Sequence, residues 1–267
     1  MILLNVFALI AFAAAVLLTM TGAQDAGIER GLRFREAATA LAAARGGELS
    51  AIAALRRDMI AAPLTDHYKE PWAAVAQRDV AITGGRFSLS VEDAQARFNV
   101  NSLIAGGAIA DATAARVEAA LKLPVGSAAA LTSFLREAGP IQQLSELRRA
   151  GIDAATLATI APYLTALPGA TTINVNTVDE SLLGLLLGDP VAARVLIERR
   201  AGPGFLTPAD FSAARVAVSP GMGFTSDHYL VTTTITVGDT TQRLTSLLER
   251  RRGPAGVAVV VIARDRG

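Results

Sequence analysis

Apolar and polar positions are distributed unevenly along the chain. Met1 to Ala23 (MILLNVFALIAFAAAVLLTMTGA) carry no ionisable side chain, and the first is Asp25. At ~1.5 Å rise per residue this stretch is about as long as a bilayer core is thick. A buried helix of a soluble protein rarely stays uncharged on every face over about six turns. A cleaved secretory signal has a basic start and a shorter apolar centre. The pattern predicts one retained transmembrane helix.

Helical spacing continues past the span. Ile28, Leu32, Leu41, Ile52, Leu55 and Met59 recur at mostly helical intervals with charges between them, and no proline interrupts the run to Ala62. Gly46-Gly47 is the weak point, expected to bend or fray the helix. Pro63 ends it. One long rod results, apolar over 1–23 and amphipathic over 24–62.

Beyond Pro63 the period changes. Val80 and Ile82 alternate before Gly84-Gly85, and Phe87, Leu89 and Val91 alternate after it, which reads as a hairpin. Trp72 is expected to cover one edge of the small core beside it. Helical patterns broken by Gly and Pro follow at 110–121, 127–137, 142–149, 153–164, 178–185, 189–200 and 207–213. Strand patterns return at His228–Val237, Gln242–Arg250 and Val257–Ala263. Two strands alone are unstable in water, so the early hairpin and late strands are expected to form one antiparallel sheet packed on the amphipathic half of the rod. The fold class is α+β. A discontinuous sheet body (63–102 and 223–267) carries an all-α insertion (103–222).

Composition narrows the chemistry. Of 267 residues 51% are apolar, and 25 basic against 24 acidic residues give a net charge of +1, which offers no general attraction to a polyanion. The absence of cysteine removes disulfides, thiolate metal sites and cysteine nucleophiles. His67 and His228 are the only histidines, without ligand spacing, and are expected at solvated or edge positions. No nucleophile elbow, phosphate loop or dinucleotide fingerprint occurs, so no catalytic residue and no cofactor is assigned. A surface calcium ion held by acids of the helical block stays open, without a nameable ligand set.

Two short motifs echo each other. Phe98-Asn99-Val100-Asn101-Ser102-Leu103 precedes the helical block and Ile173-Asn174-Val175-Asn176-Thr177 lies within it. Asn, Ser and Thr here favour helix starts and local side-chain-to-backbone bonds. Leu187 to Phe211 resembles a helix-hairpin-helix unit, a module that in many proteins binds DNA phosphates through backbone amides. Pro190 stands at the second glycine position of its turn, and residues 104–222 hold nine Lys/Arg against ten Asp/Glu. Both features favour a packing module over a DNA-binding one.

Taken together, these residues resemble the K-type minor pseudopilins of bacterial type II secretion. The uncharged helix, Glu70-Pro71-Trp72, Val91 to Leu103 with its Asp93-x-x-x-Arg97-Phe98-Asn99-x-Asn101 pattern, and the Asn174-x-Asn176 repeat carry the resemblance in order and spacing. It implies a pilin-like fold with a large helical insertion. It also implies a single-pass inner-membrane anchor, a periplasmic soluble part, and a structural, non-enzymatic role at the pseudopilus tip. The implied partners are the I-type and J-type minor pseudopilins, other type II secretion components and the lipid bilayer, with no nucleic acid. Ile2, Asn5, Ala11 and Ala15 are the expected helix-bundle contacts; Asp93, Arg97, Asn99, Asn101, Asn174 and Asn176 are the expected structural motif.

In such fibres a glutamate at the fifth mature position pairs with a neighbour's terminal amine, a buried charge tolerated only when compensated. With Met1 as the first mature residue that position is Asn5, which cannot form the pair, as suits a subunit with nothing above it. The span is followed by Arg30, Arg33 and Arg35 but preceded by no cation, which points to a short basic leader omitted or removed ahead of Met1. The alternatives are a membrane-anchored DNA-uptake protein using the helix-hairpin unit and, more weakly, a membrane-anchored hydrolase.

Overall fold

The computed structural model describes every residue except Met1, Gly106, Gly107, Leu121, Lys122, Ala255 and Gly267, and leaves the side chains of 108–110 and 120 undescribed. Met1, taken above as the possible mature terminus, and Leu121, the end of the helix expected at 110–121, lie outside the described residues.

Helix α1 spans Ile2–Ala61 without a break. Its buried positions include Ala40, Ala44, Gly47, Ala51, Leu55 and Asp58, which recur every three or four residues along one stripe. Most are small, so the sheet approaches the helix closely. The fraying expected at Gly46-Gly47 does not occur, since helix continues through both residues. Gly47 is buried against the body, where an added Cβ would meet Phe87 and Thr233 at 3.1 Å, whereas Gly46 has open space around it. Packing on the sheet keeps the helix unbroken through its weakest pair.

Strands β1 (Gln77–Ile82) and β2 (Gly85–Asp93) form the early hairpin, closed by Gly84 at φ +76°. Strand β3 (Phe98–Asn99) starts the inserted block, followed by α2 (Ala108–Ala120), α3 (Ser127–Ala138) and α4 (Ala154–Ile160). Next come β4 (Leu164–Thr165), β5 (Ile173–Asn174), α5 (Glu180–Leu187), α6 (Pro190–Ala201), α7 (Pro208–Ala213) and β6 (Met222–Gly223). Strands β7 (His228–Val237), β8 (Thr240–Gly253) and β9 (Gly256–Arg266) end the chain.

The main sheet is antiparallel in the order β1-β2-β7-β8-β9. The register ends at Asp93 opposite Tyr229, so the block leaves and rejoins the sheet between two neighbouring strands. The segment expected as a helix at 142–149 is a 3₁₀ run over Leu144–Ala150, and the one expected at 153–164 gives up its last turn to a 3₁₀ turn at Ala161–Tyr163 around Pro162. The two-residue strands were missed because so short a pairing has no period. β3 pairs in parallel with β4, and β5 with β6.

Two cores result. In the body, Trp72 is fully buried among Leu55, Val91, Tyr229 and Leu248, its ring edge-on to Tyr229 at 5.0 Å. It fills the centre of that core rather than the edge expected from sequence, because the segment after Pro63 folds back under the sheet. The block has its own core around Leu103, Leu135, Val175, Leu182, Leu196 and Phe211.

Candidate functional site: the rod and the buried junction

The first third of α1 is bare. Ile2 is 84% exposed and Leu18 73%, and none of the most apolar window is covered by the rest of the chain. Such a surface is stable only in lipid or against other apolar helices. Of the four expected bundle contacts, all are exposed, but the helix does not bring them to one face. At about 100° per residue, Ile2 and Asn5 lie about 60° apart, Ala11 and Ala15 about 40° apart, and the mean directions of the two pairs about 130° apart.

The motif residues converge where block meets body. The Asp93 carboxylate is buried and accepts from Asn174 Nδ2 (2.8 Å), Thr177 Oγ1 (2.5 Å), Ser226 Oγ (2.6 Å) and the Gln95 amide (2.8 Å). Burial pushes its pKa up, and these four donors pull against that. Asn174 also donates to the Asp66 carbonyl at 2.9 Å. Arg97 stands apart from this network, donating to Glu92 at 3.1 Å.

The two Asn-x-Asn motifs do the same work twice. In each, the first Asn Oδ1 accepts from the amide two residues on, at 3.1 Å for Asn99 and 3.0 Å for Asn174. In each, the second Asn Oδ1 takes the amide of a distant buried residue. Asn101 takes that of Ile141 at 3.0 Å, and Asn176 that of Leu206 at 2.7 Å. Both donors, Ile141 and Leu206, stand just ahead of a capping box, Gln143/Glu146 in one half and Thr207/Asp210 in the other. Each half also contains one parallel strand pair. The block is thus two copies of one plan, each closed by an asparagine that substitutes for a strand partner.

A second polar cluster, invisible as a motif, ties the end of α1 to the sheet. Arg250 Nη2 donates to Asp58 at 2.7 Å and Nη1 to Asp66, with all three side chains buried. The Arg250 guanidinium lies 4.5 Å over the Tyr229 ring. Asp66 Oδ2 accepts from the Ser226 amide at 2.7 Å, so the cluster runs into the Asp93 network. Glu70 accepts from Trp72 Nε1 at 2.8 Å and from the His67 amide at 3.0 Å. Burial, with Glu70 and Asp66 nearby, outweighs Arg250 and raises Asp58 to about 6. Higher on the rod, buried Glu48 accepts from Arg264 at 2.8 and 2.9 Å and from Ser246, and Arg264 holds its pKa down. The signal for these groups was present. Glu48 and Asp58 fall on the buried stripe of α1, and Arg250 follows Leu244, Ser246 and Leu248 on the inward alternation of β8.

Both histidines are packed, not solvated as expected. His67 stacks on Phe205 at 5.4 Å beside Glu70, and His228 is buried with Nδ1 3.3 Å from Gln95 Oε1. Their segments sit under the block, and burial lowers both pKa values. Among the described residues the acids that converge at ligand-like separations are Asp58, Asp66 and Glu70, buried at this junction rather than on the block's surface. Arg250 already supplies positive charge to two of them. At the helix-hairpin unit, Asp189 Oδ1 accepts from the amides of Val191 (2.9 Å) and Ala192 (3.0 Å). The donors that a phosphate would use at the start of α6 are therefore taken by a carboxylate.

No family model matches the chain. The type II secretion system protein K of Klebsiella pneumoniae is 28% identical over 264 residues, which cover 80% of this chain and 81% of that protein. The protein of the same name from Pseudomonas aeruginosa is 27% identical over 268 residues, covering 84% and 79%. Among solved structures, a chain of the GspK-GspI-GspJ complex from the enterotoxigenic Escherichia coli type 2 secretion system superposes with a TM-score of 0.69 at 22% identity. The match covers 89% of this chain and 99% of that one. The sequence likeness extends over most of both relatives, and the structural likeness extends over most of this chain's fold. By sequence and fold together, the chain is similar to the type II secretion system K proteins over most of its length.

Proposed function

We propose that the chain is a minor pseudopilin that is anchored in the bacterial inner membrane by α1, holds its body and block in the periplasm, and caps the pseudopilus in a complex with I-type and J-type partners. The observation that carries this reading is the bare apolar stretch of α1 running unbroken into a body that bears a bulky insertion. Such a rod can align with the rods of sister subunits, while the block leaves no room for a further subunit stacked above. The role is one of assembly, not catalysis. The solved complex of the structural neighbour contains three proteins of this kind, which supports the choice of partners.

The test is co-purification of the full chain in detergent with the cognate I-type and J-type subunits. A stable three-component complex, and loss of secretion when the chain is deleted, are expected. Failure to bind either subunit, with secretion intact in the deletion strain, overturns the reading.

A further inference from the structure

The two free edges of the main sheet are built differently. On β1, Arg78 and Asp79 are exposed, Asp79 takes φ +53°, the register slips between Gln77 and Val80, and Arg86 pairs with Asp79. Charge and irregularity of this kind discourage another strand from pairing. On β9, Gly256 to Ala263 (GVAVVVIA) contains no charge and no proline, and only one irregularity, opposite Leu247/Leu248, interrupts its pairing with β8.

The register shows which backbone groups β9 leaves free. The Arg250 amide donates to the Asp227 carbonyl, which fixes the alternation of the β7–β8 ladder, so the amides of Glu249, Arg251 and Gly253 face β9. Their partners are Val260, Ala258 and Gly256. In an antiparallel ladder the residues between them, Val257, Val259 and Val261, turn their N–H and C=O outward. Six residues, Gly256 to Val261, thus present a regular unpaired edge.

The corner beside this edge is basic. Arg251 and Arg252 are exposed at the end of β8, and Arg252 donates to the Pro63 carbonyl just past α1. Arg56, on the flank of α1 that Glu48 turns toward β9, is exposed within two turns of that point and forms no ion pair among the described residues. Glu249, paired with Arg251, is the one acid at this end of the edge.

We infer that the Gly256–Val261 edge of β9 is a docking site for an extended, β-prone segment of a partner protein that carries acidic residues at the end lying beside Arg56, Arg251 and Arg252. Main-chain bonds to Val257, Val259 and Val261 supply affinity, and the basic corner selects the partner's charge. This reading stands apart from the subunit's place in a fibre, since it requires neither the I-type nor the J-type protein.

The experiment uses the full chain in lipid nanodiscs and a labelled peptide of alternating threonine and valine with two glutamates at one end, made in both end placements. A counterpart carries lysines in their place. Saturable binding of a glutamate peptide that weakens with salt is expected, together with slowed amide exchange at Val257, Val259 and Val261. Val257→Pro removes an outward donor without touching the β8 ladder and should abolish binding. Arg56→Glu with Arg252→Glu should weaken it roughly three- to tenfold while leaving the fold intact. The inference is overturned by equal binding of the lysine peptide, by protection elsewhere on the chain, or by no binding at millimolar peptide.

Discussion

Replacing Asn101 by alanine tests the idea that the block is closed by asparagine side chains. Asn101 is 2% exposed and makes three bonds, accepting from the Ile141 amide at 3.0 Å and donating to the carbonyls of Ile141 (2.8 Å) and Leu167 (2.9 Å). Truncation leaves the Ile141 N–H and C=O without these partners in a residue only 5% exposed, whereas the Leu167 carbonyl keeps a longer contact from Asn99 at 3.4 Å. An orphaned buried backbone group costs roughly 1–3 kcal/mol, so Asn101→Ala should destabilise the block by about 3 kcal/mol. At the equivalent position, Asn176→Ala orphans only the Leu206 amide, because the Phe224 carbonyl still accepts from the Asp66 amide at 2.9 Å. It should cost less, about 2 kcal/mol. Urea unfolding of the full chain in detergent reads both. Far-ultraviolet circular dichroism follows the helices of the block together with α1, and fluorescence of Trp72, the single tryptophan, follows the body, so a loss of dichroism ahead of the Trp72 change reports the block. The midpoint seen by dichroism should fall further for Asn101→Ala than for Asn176→Ala. A loss under about 0.5 kcal/mol for Asn101→Ala, the range of ordinary surface substitutions, or the reverse order of the two variants, would refute the reasoning.

Two further outcomes follow from α1. Gly46→Ala, with open space around the new methyl, should be neutral or stabilising by up to about 1 kcal/mol, while Gly47→Leu should cost about 1–3 kcal/mol through collision with Phe87 and Thr233; thermal unfolding of the pair reads this contrast. Asp58, raised from 3.8 to about 6, holds a proton in the folded chain that the unfolded chain releases. Its contribution to stability is therefore complete below pH 3.8 and lost as the pH rises through about 6. Asp58→Asn should flatten the dependence in that window, by at most about 3 kcal/mol, and an unchanged pH profile of the unfolding midpoint would contradict it.

Much of this architecture was legible because it rests on period and length. An uncharged run announces a lipid-facing helix, alternation at Phe87, Leu89 and Val91 announces a strand, and β-branched residues from Tyr229 to Val237 announce another. The continuity of α1 through Gly46-Gly47 was not legible, because local propensity favours a break and only the sheet packed on Gly47 prevents it. The junction was legible in part. Asn99, Asn101, Asn174 and Asn176 stood out by repetition, yet their partners at Ile141 and Leu206 are backbone amides that carry no sequence signal. Asp66, Ser226 and Arg250 are brought together from opposite ends of the chain, a meeting that no spacing along the sequence encodes.

The unbroken course of α1 has a mechanical consequence. Its 60 residues, at ~1.5 Å each, make an uninterrupted helix of about 90 Å from the apolar end to the sheet. A push or tilt at the apolar end is therefore carried along one continuous hydrogen-bonded element to the far end. There, two ionic rivets, Glu48 to Arg264 and Asp58 to Arg250, pass the thrust into β9 and β8 rather than into the loops.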